Sequence, residues 1–319
     1  MISLHYSNYK SYLDIHVESI LEYCNLPATR KYKTSKLDSL VQLYFGSVIT
    51  DFESLLRATP ATLQKIKNEF DSFTTVKQTA VKKAFRVTSL YGYFTNGNFK
   101  NSRLGINNYG SVYLAEKLDV FTCPYCNENF IYYFNYRGGT STIRRTFDWD
   151  HIYSQTDYPF LAISFFNLVP CCKVCNQLKL DQNLKYFNPH IDVDINSVYF
   201  FHLNPTGAGF ITDNRKIQLQ IIYKKVNFKN EIKITADVVG LLSRMQCHKE
   251  IIKDVLNKQR MYPNPYLQSV AGQMAPLYAG VQPAQLKRTL YGTHFNHQDY
   301  FKRPFSKLTD DILKYSSTK

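Results

Sequence analysis

Two stretches of the sequence decide the fold: FTCPYCNENF at residues 121–130 and DWDHIYSQTDYPFLAISFFNLVPCCKVCNQLK at residues 148–179. Each contains a Cys-x-x-Cys pair, Cys123 with Cys126 and Cys172 with Cys175. Two such pairs can supply four thiolates in tetrahedral geometry around one zinc ion, which leaves no open position for water. The sequence therefore predicts a structural zinc site. A dithiol redox centre is the alternative, but it needs one pair at a helix start rather than two distant pairs.

The remaining cysteines are expected to be buried or spare thiols: Cys24, Cys171 and Cys247. Cys171 could replace Cys172 as a ligand, but only Cys172 has the two-residue spacing to Cys175. The chain has no apolar run near 18 residues, and its polar start, MISLHYSNYK, is unlike a signal peptide. We therefore expect a cytoplasmic protein with no membrane segment, in a reducing compartment that favours zinc over disulfides.

The charge balance favours a polyanionic partner. The chain has 319 residues, with 39 Lys and Arg against 25 Asp and Glu, a formal charge of +14. Such an excess favours nucleic acid over an acidic protein or a neutral metabolite, although positive charge can also serve solubility alone. Residues 123–190 carry six basic and five acidic residues, so we expect the electrostatic footprint on a phosphate backbone to come from the flanking regions.

The chain predicts an α+β fold in four regions. Residues 1–91 have helical periodicity, with one amphipathic helix from Thr34-Ser35 through Leu55 and another opening at Thr59-Pro60. Residues 92–118 are rich in Asn and Gly and are expected to form a linker. Residues 119–190 form the predicted catalytic module, and residues 191–319 a small sheet followed by helices.

The C-terminal region contains both the alternating pattern of strands and the apolar pattern of helices. Alternating runs at residues 197–203, 209–212 and 217–225 predict a small antiparallel sheet. Apolar residues after Asp237, a possible N-cap, then predict one long helix ending near Arg260. No motif assigns a role to the N-terminal helices, which we interpret as a possible partner-docking surface.

The central segment places polar groups where a phosphodiesterase needs them. The first cysteine pair leads into a predicted strand, residues 137–140 (RGGT) form a turn, and a second strand ends at Asp150-His151. The second cysteine pair starts a helix, which completes a zinc-stapled ββα-metal arrangement. Asp150 and Asn176 offer hard oxygen ligands that suit Mg²⁺ or Mn²⁺. His151, as a neutral imidazole, can accept a proton from an attacking water.

These residues resemble the signature of the HNH endonucleases. The matching features are the Asp-His pair, the Asn-Leu-Val-Pro phrase and a polar residue beside the last cysteine. The resemblance implies that His151 is the general base, that Asp150 and Asn176 hold the catalytic metal, and that Asn167 positions the catalytic loop and His151. Asn176 stands where many members have His, which makes this an H-N-N variant.

Two further residues have alternative interpretations. His190, in the phrase FNPH, could be the third metal residue in place of Asn176. Lys179, three residues after Asn176, could contact a phosphate or be a surface lysine.

A wider resemblance suggests a biological setting. The phrases CPYCN and DYPFLAISFFNLVPCCKVCN, with residues 286–313, resemble the PtuB-like HNH nucleases of Septu-type bacterial anti-phage systems. That resemblance implies DNA cleavage together with an SMC-like or ABC-like ATPase. Three alternatives stay open: an RNA endonuclease acting for example on tRNA, a zinc-stapled binding or adaptor module without catalysis, and a latent nuclease that is active only in complex.

Overall fold

The computed structural model describes residues 1–5, 8–27, 32–85, 88–136, 142–180, 184–207, 209–210, 212–274 and 282–317. The α+β prediction is confirmed, because helices combine with small antiparallel sheets. The helices are α1 Tyr9–Asn25, α2 Thr34–Phe45, α3 Phe52–Leu56, α4 Pro60–Asp71, α5 Thr75–Ala84, α6 Thr88–Thr95, α7 Ser111–Leu118, α8 Lys173–Lys179, α9 Lys229–Val238, α10 Leu241–Cys247, α11 Lys249–Met261, α12 Asn264–Met274, α13 Pro283–Tyr291 and α14 Ser306–Ser317. The strands are β1 Phe99–Asn101, β2 Ile106–Tyr109, β3 Tyr133–Tyr136, β4 Thr142–Arg145, β5 Phe147–His151, β6 Leu168–Cys172, β7 Tyr199–Leu203 and β8 Leu219–Tyr223. Over these ranges, no helix combines the length and apolar character needed to cross a membrane.

The chain forms two compact units. The first unit comprises residues 5–120 and 131–191, and the second comprises residues 1–4, 121–130 and 192–319. The boundaries of these units differ from those of the four predicted regions, because residues 121–130 group with the C-terminal residues. Backbone hydrogen bonds explain this grouping within the second unit: the amides of Phe121 and Thr122 both donate to the carbonyl of Phe301, at 3.1 and 2.9 Å.

The predicted helix from Thr34 through Leu55 is wrong in its length, since it is two helices. α2 ends at Phe45, and Gly46 follows as its C-cap. Asp51 then caps α3, where its carboxylate accepts from the amide of Ser54 at 2.7 Å. A side-chain cap satisfies an amide at the start of a helix and so makes a new start favourable. The apolar periodicity continued across the break because both helices bury the same kind of face.

The helix predicted from Thr59-Pro60 is confirmed as α4. The hydroxyl of Thr59 accepts from the amide of Thr62, and Pro60 occupies the first turn, where it costs no hydrogen bond. The predicted face, Leu63, Ile66 and Phe70, is buried. Within the first unit Phe70 joins an aromatic core, because its ring centroid lies 5.0 Å from that of Phe160.

The predicted linker at residues 92–118 is wrong, because this segment is folded. It contains the end of α6, the β1–β2 hairpin and α7. Its Asn and Gly residues make tight turns rather than a flexible connection: Gly105 has φ of +67°, and the side chain of Asn101 accepts from the amide of Leu104 at 3.1 Å. Arg103 fastens the hairpin to α1 through an ion pair with Glu18 at 2.6 Å.

The central strands pair differently from the prediction. The expected second strand breaks at Thr146, so that β4 pairs with β3 and β5 pairs with β6. The predicted turn at residues 137–140 lies outside the described part of the chain. β5 and β6 are antiparallel, with Asp150 opposite Val169 and His151 opposite Leu168. Because α8 follows β6 directly and packs on β5 and β6, these elements form a two-strand and helix arrangement.

In the second unit, the predicted small sheet is confirmed and the predicted long helix is wrong. β7 and β8 are antiparallel in unbroken register from Tyr199 opposite Tyr223 to Leu203 opposite Leu219. The run at residues 209–212 forms no strand where it is described. The helical region is α9, α10 and α11, because Gly240 adopts a left-handed φ of +62° that ends the first of them. Asp237 lies inside α9 and is not an N-cap.

A buried histidine makes the stability of the first unit depend on pH. His16 is fully buried between the hydroxyl of Tyr109 and the carbonyl of Ile163, each 2.8 Å from a ring nitrogen. Burial lowers its pKa from 6.5 to about 4. Between these values the unfolded chain binds more protons than the folded chain, so the free energy of unfolding falls as the pH falls.

We expect the free energy of unfolding to decrease by about 3 kcal/mol as the pH falls from 6.5 to 4, because of His16. Urea denaturation at pH 7 and pH 5 should show a smaller pH difference for His16→Gln than for the wild type. His202→Gln, in β7, is the control and should keep the wild-type difference. Equal pH dependence in the wild type and His16→Gln would contradict the assignment.

Candidate functional site

The four predicted zinc ligands come together. The sulfur atoms of Cys123, Cys126, Cys172 and Cys175 lie within 4.8 Å of one another, and all four residues are buried. Four sulfurs at about 2.3 Å from a tetrahedral zinc ion would lie about 3.8 Å apart. The group fits such an ion in ligand type, number and spacing, and the prediction of a four-cysteine metal group is confirmed: these residues can hold zinc.

Local structure presents each pair in a form suited to a metal. In the first pair, Asn127 adopts a left-handed φ of +51°, and its amide donates to the carbonyl of Cys123 at 2.8 Å. This closes a turn that Asn tolerates better than most residues. In the second pair, Cys172 caps α8, and its sulfur accepts from the amide of Cys175 at 3.5 Å.

The structure also decides between the adjacent cysteines. Cys172 belongs to the sulfur group and Cys171 does not. Cys171 lies opposite Asp148 in the β5–β6 pairing and is fully buried. Burial raises the pKa of its thiol well above the ordinary value, which keeps the sulfur protonated. Cys24 is buried and Cys247 is exposed.

One face of β5 carries two carboxylates against α8. Asp148 and Asp150 are two residues apart on the strand and so point to the same side. Asn176 and Lys179 are three residues apart on α8 and share a helix face. The amide group of Asn176 donates to Asp148 at 3.4 Å, and Lys179 forms an ion pair with Asp150. The strand and helix therefore meet through matched polar groups.

Lys179 is not a surface lysine. Its side chain is 1% exposed, and its ammonium group contacts a carboxylate oxygen of Asp150, whose side chain is 8% exposed. The same ammonium group lies 4.4 Å from the centroid of the Tyr186 ring. A buried ammonium group needs such partners because desolvation strongly disfavours an isolated charge.

His151 is held at the end of β5 by a backbone acceptor. Its Nε2 lies 2.9 Å from the carbonyl oxygen of Ala162. A carbonyl can only accept, so Nε2 carries the proton of the neutral ring and Nδ1 carries the lone pair. The ring also packs edge-on against Tyr91 at a centroid distance of 4.6 Å. The residue is thus oriented with a defined basic nitrogen.

Asn167 is fully buried and braces the loop that follows His151. Its side-chain oxygen accepts from the amide of Tyr153 at 2.8 Å. Its side-chain nitrogen donates to the carbonyls of Tyr153 at 3.2 Å and Leu161 at 2.9 Å. Leu161 precedes Ala162, the residue that accepts from His151. Asn167 therefore fixes both ends of the loop whose backbone orients His151.

We expect Asn167→Ala to lower the free energy of unfolding by about 2–4 kcal/mol, because it leaves buried backbone groups of Tyr153 and Leu161 without their partner. Urea denaturation measures the change. Asn188→Ala is the matched control, since Asn188 is also a buried asparagine of the first unit, with bonds to Phe166 and His190. A change below about 1 kcal/mol for Asn167→Ala would contradict the bracing role.

His190 is held by the backbone of β6. Its Nε2 is 2.8 Å from the carbonyl of Leu168, and its ring packs edge-on against Phe166 at 5.4 Å. Burial lowers its pKa to about 4, so it stays neutral near pH 7. Outside the four-cysteine group, no cluster of three or more His, Cys, Asp or Glu ligands occurs among the described residues.

The donor set on β5 and α8 fits a divalent cation in its chemistry. Two carboxylates and one side-chain amide offer the hard oxygen ligands that Mg²⁺ and Mn²⁺ prefer. Lys179 already neutralises one oxygen of Asp150, however. A cation at Asp150 would have to use the other oxygen or displace the ammonium group.

Two neighbours of the site were not predicted. The sequence contained a signal for Asp148, because side chains alternate along a strand and a residue two positions before Asp150 lies on the same face. The sequence contained no signal for Tyr91, which belongs to α6. Its hydroxyl donates to the carbonyl of Trp149 at 3.1 Å. Its pKa is raised, first by burial, and the nearby carboxylates Asp148 and Asp150 add to the effect.

The chain matches no protein-family model, no curated protein and no solved structure.

Proposed function

We propose that this protein is a metal-dependent endonuclease that hydrolyses phosphodiester bonds, with DNA as its substrate. The observation that carries the proposal is the arrangement of β5, β6 and α8. It presents an oriented histidine, two carboxylates and a side-chain amide within one small substructure. A purely adaptor or binding module has no need of this combination.

In this mechanism His151 is the general base. The Nε2–H bond to Ala162 makes Nδ1 the basic nitrogen of the neutral ring, and this nitrogen is proposed to accept a proton from an attacking water. Asn167 is a positioning residue, since it holds the loop that contains Ala162. After the attack, the protonated imidazole keeps its bond to the carbonyl, which also stabilises the charged ring.

Asp150 and Asn176 would hold the catalytic Mg²⁺ or Mn²⁺, with Asp148 beside them. A divalent cation there would stabilise the charge that develops on the phosphate and on the departing 3′ oxygen. The four-cysteine group is proposed to bind a structural zinc ion, because a closed thiolate shell has no position for substrate.

The HNH family and its anti-phage setting belong to the same proposal. They are supported by the Asp-His pair, the Asn-Leu-Val-Pro phrase and Asn176 beside the last cysteine of the sulfur group. By that resemblance an SMC-like or ABC-like ATPase is the proposed partner, in the cytoplasm. The ion pair between Lys179 and Asp150 favours a second candidate, a nuclease that is latent until its site is rearranged.

We expect the wild type to nick supercoiled plasmid with Mg²⁺ or Mn²⁺ but not with EDTA. His151→Ala should reduce the rate by about 10²- to 10⁴-fold, the usual contribution of a positioned base. His202→Ala is the matched histidine control. Nicking that persists in EDTA, or that His151→Ala retains in full, would contradict the proposal; activity only with the ATPase partner present would favour the latent form.

A further inference from the structure

The paired strands β3 and β4 expose aromatic side chains to solvent. Tyr132 is 50% exposed, Tyr133 is 37% exposed and Phe134 is 44% exposed. Single exposed apolar side chains are common on protein surfaces, but Tyr132 and Phe134 point to the same side of the strand and form an exposed aromatic pair, whereas Tyr133 points to the opposite side. Tyr132, Phe134 and Arg144, which lie on one side of the paired strands, are called the aromatic ribbon below.

The aromatic ribbon combines two rings with one guanidinium group. Tyr132 and Phe134 share one face of the strand, and their ring centroids are 6.2 Å apart. Arg144 is exposed and lies opposite Phe134 in the strand pairing. Arg145 lies opposite Tyr133, on the other side of the strands, and donates to the hydroxyl of Ser111 at 2.8 Å.

The charge of this part of the sequence has one sign. Residues 131–146 contain three arginines and no Asp or Glu. The near balance of charge over residues 123–190 therefore hides a separation, with basic groups in this stretch and acidic groups on β5. The carboxylates Glu116 and Asp119 lie near Tyr133, on the side opposite to Tyr132 and Phe134. The side that carries Tyr132, Phe134 and Arg144 therefore combines rings with a positive charge, which suits a polyanion that also carries planar groups.

The aromatic ribbon is joined directly to the candidate site. Thr146 alone separates β4 from β5, and its hydroxyl and amide form hydrogen bonds with the backbone of Tyr132 at 3.0 and 2.9 Å. At about 3.3 Å per strand residue, Thr146 lies no more than about 17 Å along the chain from His151. That is about the length of five nucleotides in one strand of B-form DNA.

Unpaired nucleotides are the ligand with this combination of properties. Base stacking on exposed aromatic rings contributes about 1–3 kcal/mol per base and is independent of sequence. Arginine pairs with the phosphates. In a duplex the faces of the bases are stacked on one another, so the rings can reach them only where the strand is unpaired.

We propose that the aromatic ribbon binds unpaired nucleotides of the substrate beside the cleavage site. The purpose of this binding rests on the proposed nuclease function, but the binding itself does not require cleavage. The substrate class is therefore a single strand, or a duplex with an unpaired region.

Fluorescence anisotropy tests the proposal with full-length protein in a buffer without added Mg²⁺ or Mn²⁺, which prevents cleavage and, unlike a chelator, leaves the proposed zinc ion in place. Three labelled ligands of equal length are compared: a single-stranded 20-mer, the same sequence as a duplex, and an abasic oligomer with the same phosphates. We expect the wild type to bind the single strand most tightly. Tyr132→Ala/Phe134→Ala should weaken that binding by at least about 10-fold and leave the abasic oligomer unchanged.

Two further variants separate stacking from charge and from folding. Tyr132→Leu/Phe134→Leu keeps apolar side chains on the strand, so it should fold even if the alanine variant does not, and it should still lose affinity. Arg144→Gln should reduce the salt dependence of single-strand binding by about 0.7 in the log–log slope. Tyr266→Ala is the matched control, because Tyr266 is 51% exposed on α12.

Wild-type affinity that is equal for the single strand, the duplex and the abasic oligomer would overturn the proposal, as would leucine and alanine variants that bind like the wild type. If the aromatic ribbon binds a protein instead, the variants will likewise bind the oligonucleotides as the wild type does, and the proposal will be overturned. Failure of the nuclease proposal is seen separately in the plasmid assay with His151→Ala. If nicking depends on metal but the aromatic ribbon variants bind the single strand as the wild type does, only the aromatic ribbon proposal fails and the nuclease proposal stands.

Discussion

Cys172→Ser is expected to lose zinc and the cooperative folding of the protein, while the adjacent Cys171→Ser keeps both. Structural zinc in small domains contributes about 10–16 kcal/mol of apparent binding free energy, which is more than the total stability of most domains. Serine cannot supply the thiolate, and three ligands hold the ion far less tightly. The two variants differ by one position in β6, yet only Cys172 belongs to the sulfur group.

The measurement is zinc per chain by elemental analysis, together with thermal unfolding. We expect about one zinc per chain in the wild type, in Cys171→Ser and in Cys247→Ser, whose cysteine is exposed. Cys175→Ser should behave like Cys172→Ser. A wild type without zinc, or a Cys172→Ser variant that keeps zinc and its unfolding temperature, would show that the four cysteines are only a buried thiol cluster.

Lys179→Met is expected to destabilise the protein by about 3–5 kcal/mol, the usual effect of removing one partner of a buried ion pair. Methionine fills similar volume, so the loss comes from the uncompensated charge of Asp150. Lys314→Met is the matched control. Lys314 also pairs with an aspartate, Asp310, at 2.6 Å, but its side chain is 58% exposed, so we expect a much smaller effect.

The double variant Asp150→Asn/Lys179→Met distinguishes charge from packing. It removes both charges and should recover much of the stability without recovering nuclease activity. Divalent cations provide a second reading. If they bind Asp150, Mn²⁺ should raise the unfolding temperature of Lys179→Met more than that of the wild type, because the competing ammonium group is gone. A stability change below about 1 kcal/mol for Lys179→Met would mean that the ion pair is not buried in solution.

Local signals predicted the elements whose cause is local. The helix at Pro60 was predicted because a threonine cap and a proline in the first turn act within a few residues. The β7–β8 sheet was predicted because alternation reports one buried face. Periodicity failed at Gly46 and Gly240, where helices break but the apolar pattern continues on the next helix.

The features of the candidate site also divide into those with a local cause, which the sequence predicted, and those that depend on distant segments, which it did not. The cysteine spacing identified the sulfur group and preferred Cys172 over Cys171, because ligand geometry constrains spacing. The sequence did not reveal the burial of Lys179, the pairing of β5 with β6 or the contact of Tyr91 with His151. Each depends on segments that are distant in sequence, and no local pattern records which of them meet.

The sequence by itself therefore determined the α+β class, the four cysteines that can hold a metal ion and the candidate residues Asp150, His151, Asn167 and Asn176. Their residue types and spacing follow from the chemistry of single side chains. Only the tertiary structure decided which oxygen and nitrogen atoms each side chain contacts. Asn167 braces the loop that orients His151, and Lys179 neutralises Asp150, because burial leaves polar groups no solvent and forces them to find partners within the fold.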